Sequence, residues 1–127
     1  MAERKSIEIP GVKLHQQPFP GAVRVGNMIF SSAVSGMDQK TQTVPDDPET
    51  QIANALSNMK SLVEEGGGTV ENIAKVQVFL TDKEWRPTVN KYWVEMFPDE
   101  DSRPVRHTIG GPLPNNYVIQ VEFVAVL

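Results

Sequence analysis

The chain has no cysteine and only two histidines, His15 and His107, among its 127 residues. Without thiols there is no disulfide framework, no thiolate zinc or iron–sulfur site and no cysteine nucleophile. The histidines stand far apart with no carboxylate at ligand spacing, so no metal is expected and no cofactor is implied. No apolar run approaches the length of a membrane span. The start, Met1 to Lys5, runs into Ser6-Ile7-Glu8-Ile9 without a signal-peptide core, which predicts a soluble, cytoplasmic protein with no membrane partner. Positive charge is also short. Twelve Lys and Arg stand against sixteen Asp and Glu, a net −4, and the cations are scattered, which argues against a nucleic-acid partner. The acidic runs Asp46-Asp47 and Asp99-Glu100-Asp101 lie beside prolines and read as solvated turns.

What is present suffices for one core. The length predicts a single domain over 1–127, and the 39% hydrophobic fraction places the chain clear of the disordered class. Residues 1–21 read as a proline-punctuated arm with a short strand near 7–9. Residues 22–25 and 28–33 flank Gly26-Asn27 and read as a tight hairpin, since both turn residues tolerate positive φ. A first helix is capped by Asp47, with Pro48 at its first position and Glu49 favouring its dipole. Ile52, Ala55, Leu56, Met59, Leu62 and Val63 repeat at helical spacing, and Gly66-Gly67-Gly68 ends it. A strand follows over 73–80, then a helix over about 83–97 with Pro87 in its first turn and Pro98 beyond its end. Trp85, Tyr92 and Trp93 read as packing aromatics. Residues 104–109 read as a strand, 110–116 as a loop and 117–127 as the last strand.

That order predicts an α+β fold, a sheet with both helices on one face. In the last strand the odd positions Tyr117, Ile119, Val121, Phe123, Ala125 and Leu127 should meet the helices. The even positions Val118, Gln120, Glu122, Val124 and Val126 are also mostly apolar. Something other than the helices must cover them, and a homo-oligomer is the economical answer.

No serine sits in a nucleophile elbow, and Gly66-Gly67-Gly68 follows a helix rather than opening one, so it cradles no phosphate. Arg106 stands out, on a strand beside a Gly/Pro-rich loop. A guanidinium there can grip a planar carboxylate with two parallel hydrogen bonds. The alternatives are a solvated strand arginine or one paired to Glu122.

Several segments, in this order and spacing, resemble the RidA family, also called YjgF or L-PSP endoribonuclease. They are Asn27-Met28-Ile29-Phe30-Ser31-Ser32, the helix over 51–65, Val76-Gln77-Val78-Phe79-Leu80-Thr81-Asp82, Val89-Asn90-Lys91-Tyr92, Pro104-Val105-Arg106, and Leu113-Pro114 followed by Val121-Glu122. The resemblance runs from about Phe19 to the C-terminus. It implies a chorismate-mutase-like fold with a mixed sheet, assembled as a homotrimer with clefts between subunits. It also implies hydrolysis of small enamines and imines, such as 2-aminoacrylate, to 2-keto acids and ammonia. Such intermediates leak from pyridoxal-phosphate dehydratases. By the same resemblance Arg106 holds the substrate carboxylate, and Ser32, Asn90, Phe19 and Thr108 line the cleft.

Four features depart from the family pattern. The acidic residue that positions the attacking water falls on Gln120, which can orient a water but cannot take its proton. The cleft tyrosine of the best-known deaminases is Phe19, and a common cysteine is Thr108. The segment between Arg106 and Leu113 is one residue shorter than usual. Glu122 lies one pleat from Gln120 on the same strand face, about 6.5 Å along the strand, as a displaced candidate for acid/base work. Two rival readings stand beside the deaminase: a non-catalytic trimer that binds small carboxylates such as 2-keto acids, and, behind both, an RNA-cleaving enzyme. The acidic balance and the absence of a paired histidine acid and base count against the last.

Overall fold

A computed structural model describes residues 3–127. Six strands lie in the order β1 (Arg4–Ile7), β2 (Ala22–Val25), β3 (Met28–Ser31), β7 (Ile119–Val126), β5 (Ile73–Leu80) and β6 (Val105–Gly110). The two-residue strand β4 (Val34–Ser35) also pairs with β7. All neighbours are antiparallel except β5 and β6, whose parallel pairing requires a crossover. Helix α2 (Arg86–Met96) supplies it, entered through a 3₁₀ turn at Lys83–Trp85. The sheet is therefore mixed, with α1 (Pro48–Glu65) and α2 packed on it.

The core follows from two periods meeting. Helix α1 turns Ile52, Ala55, Leu56, Met59, Leu62 and Val63 inward, and β7 turns Ile119, Val121, Phe123 and Ala125 up to meet them. Among the described residues no helix covers the far face of the sheet. There Phe30 is 40% exposed, Val105 65% and Val126 42%. The cap of α1 is as expected: Asp47 accepts from the Thr50 N–H, and Gly67 at φ +96° ends the helix with Gly68 donating to Val63.

Some boundaries differ from expectation. The first strand is Arg4–Ile7 rather than 7–9, because pairing with β2 stops at Ile7 opposite Ala22 and Pro10 brings no N–H to continue it. In the hairpin only Gly26 takes positive φ, at +59°; Asn27 does not, so the left-handed residue is the first of the two turn residues alone. The last strand begins at Ile119 rather than 117, because the Val118 N–H donates to the Gln51 side chain instead of to a strand.

Between β3 and β4 the chain takes one extra residue. Phe30 faces Val124 and Val34 faces Val121, four steps along one strand against three along the other. At this bulge the Ser31 hydroxyl accepts the Phe123 N–H that the ladder would otherwise leave unpaired.

Two amides on α1 are fully buried and tie down the loops beside it. Gln51 donates to the carbonyls of Pro45 and Asn116, at 2.7 and 2.9 Å, and accepts from the Val118 N–H at 2.9 Å. Asn58 donates to the carbonyls of Ser35 and Met37 and accepts from Gln39. Gly36 is glycine because a Cβ there would collide with the Gln51 backbone. Replacing Gln51 with leucine keeps the bulk but leaves three backbone groups unpartnered, at about 1–3 kcal/mol each. Gln51→Leu should therefore lower stability in urea by at least about 3 kcal/mol; a loss under about 1 kcal/mol would show that water replaces the amide.

Candidate functional site

Arg106 lies on β6 opposite Val76, whose side chain is buried under the helices, so its own side chain also rises on the helix side. It meets α2 there. Asn90 and Trp93, three residues apart, present one face of that helix. The guanidinium Nη2 donates to Asn90 Oδ1 at 2.7 Å, and its carbon stands 4.9 Å from the centre of the Trp93 ring. Trp93 is itself held edge-on by Phe97, 4.8 Å between ring centres. Asn90 and the indole thus orient the guanidinium while leaving its charge without a counterion. Among the described residues no carboxylate lies within ion-pair range of Arg106. Half-burial holds its pKa below the ordinary arginine value, and the like charge of Arg86 adds to the effect. A partly desolvated, oriented and uncompensated cation is suited to a planar anion. Thr108, two residues along β6, faces the same side.

The other expected residues lie elsewhere in the chain. Gln120 pairs across from Phe79, and Glu122 from Gln77, on the face away from the helices. Glu122 is therefore not the partner of Arg106, because β-sheet pleating sends the two side chains to opposite faces. Neither Gln120 nor Glu122 has a side-chain hydrogen-bond partner among the described residues. Glu122 lines a recess of about 200 Å³ with Phe30, Lys75 and Gln77. Phe19 and Ser32 come together around another, of about 280 Å³, with Val23 and Phe30. The bulge after β3 sets Ser32 there, and its hydroxyl donates to the Pro20 carbonyl at 2.6 Å, so it is not a solvent-facing strand hydroxyl. The expected residues thus fall into separate groups: Arg106, Asn90 and Thr108 on the helix side of the edge strand, Gln120 and Glu122 on the open face of β7, and Phe19 with Ser32 around the recess beside Phe30. Among the described residues no group of three His, Asp or Glu is placed to hold a metal.

The fold is shared with known proteins. Residues 13–127 match the family described as Endoribonuclease L-PSP. The chain belongs to the L-PSP family. The 2-iminobutanoate/2-iminopropanoate deaminase of Escherichia coli K12 is 33% identical over 111 residues, covering 86% of this chain and 87% of that protein. The crystal structure of the E. coli YjgF gene product superposes with a TM-score of 0.86 at 31% identity, over 96% of this chain and 98% of that one. E. coli TdcF, solved with bound serine, gives a TM-score of 0.88 at 28% identity, over 97% and 98%.

Trp93 is the site residue that sequence reasoning passed over. It does pack into the core as expected, but its ring also floors Arg106, and its spacing of three from Asn90 was the available signal. The arrangement makes a specific demand on chemistry. Arg106→Lys retains charge but loses the fork and the stacking on Trp93. Titrated with 2-ketobutyrate in a calorimeter, Arg106→Ala should lose about 2–5 kcal/mol of binding and Arg106→Lys a substantial part of that. Parent-like binding by both variants would remove Arg106 from the site.

Proposed function

We propose that this L-PSP protein hydrolyses small 2-imino and enamino acids to 2-keto acids and ammonia in a cleft completed by a neighbouring copy of the chain. The observation that carries this reading is the oriented guanidinium of Arg106, which has no carboxylate of its own. Relatives named 2-iminobutanoate/2-iminopropanoate deaminase are named for substrates with one carboxylate beside the imine carbon. Arg106 holds that carboxylate, and the Gln120 face of a second copy closes over the imine. Apolar Phe30, Val124 and Val126 around that face favour assembly, and a homotrimer with three such clefts is the expected form.

In the reaction, water oxygen bonds to the imine carbon as the C=N electron pair moves to nitrogen, the water's proton passes to that nitrogen through Glu122 or solvent, and the carbinolamine then transfers its hydroxyl proton to nitrogen and expels ammonia as the C=O bond of the keto acid forms. Gln120 orients the water through its amide but cannot accept the proton. Glu122, one pleat away, is the nearest carboxylate on the same face of β7. This chemistry therefore runs slowly on 2-aminoacrylate, with substrate preference altered by Phe19 and Thr108.

A second reading, a trimer that binds small carboxylates without turning them over, is favoured by the same glutamine and by the serine held in TdcF. RNA cleavage ranks last, for the net charge of −4 suits no phosphate backbone. Ammonia release from freshly generated 2-aminoacrylate separates the first two readings. General-base catalysis is worth about a hundredfold or more, so Gln120→Glu should raise a slow parental rate by at least about tenfold. A variant that still binds 2-ketobutyrate but gains no turnover supports the binding protein instead.

A further inference from the structure

Phe19 is 51% exposed, yet its ring is not free. His15 lies against it, 4.4 Å between ring centres at a tilt of 39°. The imidazole is fixed from behind: its Nδ1 accepts the Gln17 N–H at 3.0 Å, and the Gln17 carbonyl in turn accepts the Phe19 N–H at 2.9 Å. A neutral imidazole that accepts at Nδ1 carries its proton on Nε2, so one tautomer is selected. Prolines at 18 and 20 restrict the backbone on either side of Phe19. The arm that carries His15 is fastened in turn. Leu14 is buried, the Lys13 N–H donates to Gln42 Oε1, and Gln42 Nε2 donates to the Gly11 carbonyl. His15 and Phe19 together wall a cavity of about 400 Å³. Phe19 also walls the recess at Ser32, so this one residue borders both spaces.

The geometry points to His15 as a positioning residue that sets Phe19 against the ligand, and so the room left for the ligand's side chain. This rests on the reading that Phe19 lines the cleft. It carries a pH signature of its own. An imidazolium has protons on both nitrogens, so protonated His15 cannot accept from Gln17, and the His15–Gln17–Phe19 chain of contacts opens. The charged groups facing the same cavity are Glu8, whose Oε1 accepts the Gly21 N–H, and Lys13.

The test uses the full chain and 2-ketobutyrate as probe. His15→Ala should weaken binding about two- to twelvefold, the range of a lost aromatic contact. His15→Phe keeps the ring and should hold affinity within about twofold of the parent at neutral pH. Acidification should then separate the two proteins. Parental affinity should fall as the His15 Cε1–H resonance reports protonation, with the Gln17 amide and Phe19 ring resonances moving in step, while His15→Phe should show no such fall. The parental titration needs no variant to fold. If His15→Ala binds like the parent, or if parent and His15→Phe share one pH profile, His15 does not position Phe19 and the cleft reading is untouched. If the parent binds no 2-ketobutyrate at any pH, the cleft reading fails and this inference fails with it.

Discussion

The two-residue period of β7 sends Ile119, Val121, Phe123 and Ala125 into the core and Gln120, Glu122, Val124 and Val126 onto the open face. Slipping the strand by one residue would put a glutamine and a glutamate under α1, so hydrophobic burial fixes which row faces the helices. Pairing with β5 extends the same parity to β6, and that decides where Arg106 points. An edge-strand arginine opposite Val76 must rise beside α2, whereas Gln120 opposite Phe79 must descend on the other side. Arg106, the proposed carboxylate grip, and Gln120, the proposed water-orienting amide, are thereby held apart within one chain. They can serve one ligand only if the open face of one copy meets the β6 edge of another. The apolar residues left on that face would give such a contact its driving force.

Wherever a strong period coincided with strong punctuation, the fold was legible in the sequence. Helix α1 is the best case, with Asp47 and Pro48 at one end and Gly66 to Gly68 at the other. The alternation in β7 is equally plain, and its apolar even positions mark the uncovered face. Local patterns failed where a distant group decided the outcome. Val118 left the last strand because Gln51, 67 residues away, takes its N–H. The bulge after β3 depends on Ser31 meeting Phe123, a pairing invisible in the Ser31-Ser32-Ala33 run itself. Gln51 and Asn58 look like polar residues on a helix surface until the loops at Pro45, Met37 and Asn116 are folded over them.

The candidate site divides along the same line. Arg106 stood out from its setting on a strand beside a Gly/Pro-rich loop and Asn90 by family resemblance, and the 2.7 Å bond between them is a structural fact that spacing could not supply. Which of the expected residues share a face was not legible residue by residue, since it depends on strand parity carried across three strands. Parity excludes a pairing of Arg106 with Glu122 in one chain and sets Arg106 and Thr108 on one face of the sheet, Gln120 and Glu122 on the other. It also keeps Gln120 clear of Arg106. The two side chains do not touch within one chain, so a change at one leaves the other's contacts with Asn90 and Trp93 in place.

The central claim is that one ligand site draws Arg106 from one copy and the Phe19–Ser32–Gln120 face from the next. Co-assembly of two inactive variants tests it most directly. Arg106→Ala removes the grip, and Ser32→Tyr fills the recess beside Phe19; each must first show the parent's mass by light scattering and no binding of 2-ketobutyrate alone. Refolded together in equal amounts, chains that share sites between copies should recover about a quarter of the parental sites, the fraction random ring assembly gives. Mixed assemblies that form by mass yet recover no binding would mean that each chain builds its site alone, and would contradict the account.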